Sequence, residues 1–410
     1  MFHSFFLAGF EGSTGYNRHG QWFDQVVATG HETTVREDYR MLADLGIRAA
    51  REVMRWPLID SGKGRYDFSS VDPFMEAARE NGIEVIWDLF HYGFPTHVDL
   101  WSVDFPKIFA DYCYAAARYA DRHTEGTLYV TPVNEPSFMA YAAGEKGLFA
   151  PHAEGRGWDL KVALVNAAIQ GIDAIRSVRP DARIVNADPL CRVALPDDKP
   201  ECHDEAHDFN NRLVFQSWDM LCGRLLPELG GSRAHLDIVG INYYWTNQWE
   251  WRIAPGPDGL IPPLSDGDPR RMKIGDLVRE VHKRYGGDLL ITETAHVGER
   301  RGPWLREVAE EADALLREDV PLHGVCLYPI LGMPEWHSPE DWTAMGLWDP
   351  VCHREPHGER IPYQPMLEAF QDAQRLDALH ARRLKRRERM LRLSRNPGRR
   401  HGRSVRAAAE

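Results

Sequence analysis

The chain has 410 residues, 43% hydrophobic and 27% charged, which is enough apolar material for a large core and excludes general disorder. No apolar run approaches the roughly 20 residues that a membrane span needs, and six scattered cysteines exclude a disulfide-stapled module. The net charge of −12 hides a division: from Arg375 to Glu410, 13 Lys/Arg face only Asp377, Glu388 and Glu410, a net +10, which leaves −22 on residues 1–374.

Taken in chain order, short β-like runs alternate with helical patterns. The runs are Phe5–Phe10, Ile47–Trp56, Ile83–Phe90, Thr127–Val133, Ala182–Ala187, Leu236–Tyr244, Leu289–Thr292 and Leu322–Tyr328. Between them, apolar residues three and four apart predict helices over Thr34–Leu45, Val71–Asn81, Phe105–Arg122, Leu160–Arg179, Asn210–Leu226, Asp276–Tyr285 and Trp304–Arg317. Gly46 and Gly82 close two of these. Parallel strands need helical crossovers, so eight β-then-α units predict a single-domain (β/α)8 barrel over residues 1–374. Three long connections, from Glu135 to Trp158, from Pro189 to His207 and from Asn247 to Met272, all leave strand C-termini, where barrels carry their substrate loops.

Catalytic groups of a barrel sit where strands end. The fourth run ends in TPVNEPSF, which puts Asn134 and Glu135 at the mouth, and the seventh ends in LLITETAH, which puts Glu293 at the same rim. Two carboxyls about 5 Å apart suit retaining glycoside hydrolysis, in which one protonates the leaving oxygen and the other attacks the anomeric carbon. Asn242 and Tyr244 stand two apart on the sixth run and face the same way. Rim tryptophans Trp245, Trp249, Trp251, Trp336, Trp342 and Trp348 add the flat surfaces that sugar C–H faces prefer.

Six ordered motifs resemble the retaining β-glycosidases of clan A, and glycoside hydrolase family 1 most closely. VNEP at Val133–Pro136 is similar to the family's acid/base motif and ITET at Ile291–Thr294 to its nucleophile motif. DIVGINYYW at Asp237–Trp245 is similar to the sixth-strand motif, FHYGFP at Phe90–Pro95 to the third-strand His-Trp-Asp-Leu-Pro segment, and REVMRW at Arg51–Trp56 to the second-strand motif. PEW at Pro334–Trp336 with MGLWDP at Met345–Pro350 resembles the segment after the last strand.

The resemblance implies a (β/α)8 glycosidase with Glu293 as nucleophile and Glu135 as acid/base, without cofactor or metal. It implies that Arg51 keeps Glu293 ionised, that Tyr244 hydrogen-bonds it and that Asn242 lines the sugar site. Asn134 would meet the sugar 2-hydroxyl, His91 would donate to a glycone hydroxyl, and Glu335 and Trp336 would hold the outer hydroxyls and the ring face. Departures stand beside these matches. The first-strand Gln-x-Glu-Gly reads Gly9-Phe10-Glu11-Gly12, Ala295-His296 replaces Asn-Gly after the nucleophile, Tyr328 stands for a Trp, and Gly332-Met333 stand for Asp-Asn.

The expected substrate is a small β-glycoside or oligosaccharide. The rivals are another clan A glycanase, such as a β-mannanase or endoglucanase, and a non-catalytic sugar-binding barrel. The acidic body is not expected to bind nucleic acid. The apolar start MFHSFFLAGF lacks a basic leader, so a cytoplasmic enzyme with no transmembrane segment is expected. Cys202, His203, Asp204 and His207 have their histidines four apart, as on a metal-binding helix face, but with no further ligand evident they read as a solvated helix start. Residues 375–410 read as an Arg-rich helical, then flexible, tail whose partner the residues do not specify.

Overall fold

The computed structural model describes residues 1–256, 261–352, 357–383 and 385. Eight parallel strands close into a barrel in sequence order, each pairing with its neighbours in the chain and the last with the first. They are β1 (Phe6–Gly9), β2 (Ala49–Val53), β3 (Glu84–Asp88), β4 (Tyr129–Thr131), β5 (Arg183–Pro189), β6 (Ile238–Asn242), β7 (Asp288–Thr294) and β8 (Leu322–Leu327). Each of the eight predicted runs overlaps one of them. The fold is the (β/α)8 barrel that the alternation predicts.

Period-two alternation divides the strand residues between two cores. The barrel interior takes one side chain from every strand: Leu7, Ala49, Ile86, Tyr129, Val185, Ile238, Leu290 and Cys326. Their neighbours in sequence, such as Phe6, Ala50, Trp87, Val130 and Val239, face outward into a second apolar layer beneath the helices. That layer is supplied by α1 (His31–Asp44), α2 (Asp72–Asn81), α3 (Phe105–His123) and α4 (Gly157–Val178), each of which covers one of the expected helical segments.

The next predicted helix, Asn210–Leu226, is not one helix. The chain forms α5 (His203–Asn211), leaves helical geometry at Arg212 (φ −130°, ψ −56°) and re-forms as α6 (Gln216–Leu221). Burial explains the break: α5 buries only Ala206 and Asn210, whereas all six residues of α6 are buried. The outer layer is completed by α7 (Ile274–Tyr285), α8 (Arg301–Arg317) and α9 (Gln364–Ala373). No helix among the described residues is long and apolar enough to cross a membrane.

The long connections gather over the C-terminal ends of the strands. Those after β5 and β6 pair with each other, Arg192–Ala194 lying parallel to Gln248–Glu250. A hairpin after β1 joins Thr14–Tyr16 to Trp22–Asp24. At the opposite end the chain continues past α9 as a helix over 375–383, with Leu376 fully buried and His380 3% exposed. The expected boundary at residue 375 therefore falls inside packed structure, and most of the Arg-rich tail lies outside the described residues.

Candidate active site

Strict alternation along β7 would turn Glu293 away from the barrel, because Leu290 and Thr292 face inward. The strand carries a bulge here. Its register slips between Ile291 and Glu293 against β6, and between Ile291 and Thr294 against β8. Such a slip re-aims the side chain that follows it, and Glu293 comes to lie opposite Asn242 at the end of β6. The carboxylate is 4% exposed and grips Arg51 Nη1 through Oε1 at 2.5 Å, while Tyr244 donates its phenol to Oε2 at 2.7 Å.

Glu135 reaches the same space from β4 by a different device. Its backbone is left-handed (φ 48°, ψ 59°), and its N–H donates to Ala187 O at 3.0 Å before Pro136 opens a short helix. Asp188, at the end of β5, holds this turn from below, accepting the Ser137 N–H at 2.9 Å and the Ser137 hydroxyl at 2.6 Å. Burial pushes the Asp188 carboxyl up to about 6, against the Ser137 hydrogen bonds and the Lys161 charge. Glu135 itself is 7% exposed, with Asn242 Nδ2 donating to Oε1 at 2.9 Å and the Tyr92 phenol to Oε2 at 2.6 Å.

A continuous polar chain joins the two carboxylates. Arg51 Nη2 donates to Asn134 Oδ1 at 2.6 Å, and the Asn242 amide that holds Glu135 lies 3.4 Å from the same oxygen. Asp88 anchors Arg51 from behind in a bidentate pair at 3.0 and 2.7 Å. Burial alone would raise Asp88, but the Arg51 charge and the His91 hydrogen bond hold it below the usual carboxylate range.

Asn134 Oδ1 is committed to these donors, so its Nδ2 is the group that donates to His91 Nε2 at 3.0 Å. The imidazole proton then sits on Nδ1, toward Asp88 Oδ2 at 3.1 Å. In this arrangement Nε2 accepts from Asn134 instead of donating outward.

The environment separates the two glutamates. Burial, and then the charge of Glu293, push Glu135 up to about 8. Burial raises Glu293 as well, but Arg51 and the hydrogen bonds from Tyr244 and Arg51 oppose it. Both carboxyls are thus raised, and only Glu293 has a positive charge opposing the rise. Tyr92 and Tyr244 are both pushed well above the ordinary phenol value, by burial first and then by the glutamate charges, so each acts as a protonated donor.

Of the sequence-derived residues, Arg51, His91, Asn134, Asn242 and Tyr244 join the two glutamates in one network. Trp336 is brought alongside: its indole N–H donates to Ser13 Oγ at 2.9 Å, and its ring lies 6.1 Å from that of Tyr92. Glu335 joins no hydrogen bond of that network among the described residues: its side chain is exposed and accepts from the Thr343 hydroxyl.

Gly9 and Tyr328, two of the departures noted above, are one packing solution. A Cβ on Gly9 would lie 1.9 Å from Tyr328 Cδ2, so the phenol ring fills the space that a larger first-strand residue would need. That ring lies nearly parallel to His91 (6.1 Å, 12°), with the Arg51 guanidinium 5.2 Å from its centroid.

Asp88, Tyr92, Asp188 and Thr292 are the participants that sequence reasoning missed. Two carried a signal: Asp88 as a charged residue inside the apolar run Ile83–Phe90, and Asp188 as one directly after the run Ala182–Ala187. The cluster near residue 203 forms no ligand set: His203 Nε2 meets Pro196 O at 2.9 Å, and no three metal-ligating side chains gather among the described residues.

The fold thus defined is shared with solved structures of other proteins. A family 1 β-glucosidase from Thermotoga maritima superposes with a TM-score of 0.68 at 16% identity, over 92% of this chain and 98% of that one. The AHE enzyme from Alicyclobacillus herbarius gives 0.70 at 19% identity over 91% and 97%. The β-glycosidase BGL167 gives 0.64 at 19% over 85% and 87%. No family model matches the chain, and no curated protein matches it in sequence.

Proposed function

We propose that this protein is a retaining β-glycosidase that hydrolyses a small β-glycoside through a covalent glycosyl-enzyme. The observation that carries this reading is the pair Glu135 and Glu293, delivered from β4 and β7 and linked through Arg51, Asn134 and Asn242. Glu293, held by Arg51 and Tyr244, attacks the anomeric carbon while Glu135 protonates the departing oxygen. Esterification then removes the Glu293 charge that keeps Glu135 protonated, so Glu135 ionises and activates water for the second step. An acceptor alcohol in place of water would give transglycosylation by the same route.

The β-glucosidase and β-glycosidase barrels of similar fold support the reading, among them a Thermotoga maritima β-glucosidase solved in complex with deoxynojirimycin. The six unpaired cysteines support a reducing compartment, in line with the expected cytoplasmic location.

The test is to incubate the enzyme with a panel of aryl β-glycosides differing in the sugar, then with an activated 2-deoxy-2-fluoro glycoside followed by peptide mass analysis. Hydrolysis of at least one substrate, its loss in Glu293→Ala, and a sugar adduct on Glu293 are expected. Failure on the whole panel, with Glu293 unlabelled, would overturn the reading.

A further inference from the structure

In that cycle Glu135 must carry a proton in one half and none in the other, and its two oxygens face partners of different chemistry. Oε1 faces the Asn242 amide, which can only donate. Asn242 cannot present its oxygen instead, because Oδ1 is taken by the Thr292 hydroxyl at 2.6 Å and Nδ2 also serves Asn134 Oδ1 at 3.4 Å. Oε2 faces the Tyr92 phenol at 2.6 Å, and a phenol both donates and accepts.

We propose that Tyr92 is a positioning residue for the acid/base. Its hydroxyl donates to Oε2 while Glu135 is ionised and turns to accept from it when Glu135 is protonated, which keeps the mobile proton on Oε2. The proposal rests on the glycosidase reading. When the O–H bond of Glu135 breaks, the proton passes to the departing glycosidic oxygen, which also receives the electron pair of the broken C–O bond. The phenol then swings its own hydrogen back onto the carboxylate.

The ring is held for this task. Tyr92 is 6% exposed, its backbone is left-handed (φ 71°), and it is enclosed by His91, Phe138, Phe149 and Trp336 at centroid distances of 4.8, 5.4, 6.0 and 6.1 Å. The titratable groups that face it are Glu135, Glu293 and Glu11, with His91 beside it; burial and the three carboxylates all keep the phenol protonated.

Tyr92→Phe removes one oxygen and leaves the ring. Tyr92→Phe costs both states a hydrogen bond, but the ionised form loses the stronger one, so the carboxyl holds its proton to higher pH. The alkaline limb of kcat/KM on an aryl β-glycoside with a poor leaving group should move up by about one pH unit, the difference between a hydrogen bond to a charged group and one to a neutral group. Infrared titration of the ligand-free enzyme, with Glu135→Gln subtracted to isolate the Glu135 band, should show the same upward move. A fall in rate at every pH with both limbs in place would mean a merely structural role and would overturn the proposal, as would an unmoved Glu135 band. A wild-type enzyme that turns over no glycoside would sink the glycosidase reading itself, while the infrared titration would still decide the Tyr92–Glu135 coupling.

Discussion

Glu135 and Glu293 are the same side chain in two surroundings, and the proposed roles rest on that difference. An arginine and a phenol hold Glu293, and an amide and a phenol hold Glu135, so only Glu293 has a full positive charge in hydrogen-bond contact. Removing the Glu135 carboxyl should therefore affect reactions that need proton delivery and spare those that do not. In Glu135→Ala the glycosylation rate is expected to fall about 10²–10⁴-fold for substrates with poor leaving groups, and far less for activated aryl leaving groups. Pre-steady-state rates across a leaving-group series check this, and equal losses along the series would remove Glu135 as the acid. Both glutamates were legible because each ends an apolar run before a strand-breaking or polar segment. Tyr92 was not, since nothing local says that a tyrosine after His91 folds back onto a carboxylate 43 positions away. Adjacency to Trp336 in sequence likewise did not announce that Glu335 is exposed while Trp336 packs beside Tyr92.

Elements were readable wherever period and burial agree. Every barrel strand shows as an apolar run because its two faces meet two different cores, and α1 and α2 end at Gly46 and Gly82, which take left-handed geometry at φ 81° and 63°. The bulge in β7 and the break between α5 and α6 were illegible, because both answer to packing across the sheet instead of to local pattern. A third feature of this kind lies between α1 and β2. His31, fully buried and stacked on Phe10 at 3.6 Å, sits between Asp38 at 2.7 Å and Glu52 at 3.0 Å, with Arg360 on the far side of Asp38. Burial alone would push this imidazole down, yet the Glu52 charge and the two hydrogen bonds outweigh it and lift it to about 9. A group whose affinity for a proton rises on folding stabilises fully below its unfolded value, near 6.5, and loses that contribution as pH climbs through the folded value. Denaturant unfolding of the wild type and of His31→Asn should therefore show a stability gap that narrows between pH 6.5 and 10, by an amount on the order of 3 kcal/mol. A gap independent of pH would mean that the histidine is neutral in the fold.

At the scale of the whole molecule, a closed barrel has an open lower end that something must cover. The polypeptide uses both of its described termini. Phe2 enters the interior cluster, Phe5 and Phe6 the outer one, and the helix over 375–383 closes against them. Phe5 N–H donates to Asp377 Oδ1 at 2.6 Å, the His380 ring lies 5.5 Å from that of Phe5, and Leu376 is fully buried. From composition alone, the Arg-rich stretch reads as detachable from residue 375 onward, since the pattern of leucines is too irregular to announce a buried face. Its first turns belong to the barrel's floor. Two truncations separate these readings. A chain ending at Lys385 keeps every contact just named, whereas one ending at Gln374 strips Leu376, Asp377 and His380 from the floor and bares the phenyl rings of Phe2 and Phe5. Losing one fully buried leucine with its neighbours corresponds to about 2–4 kcal/mol, so the shorter chain should melt several degrees below the longer one in differential scanning calorimetry. Coincident melting curves would show that the floor is sealed without this helix, and the barrel would then end where the composition changes.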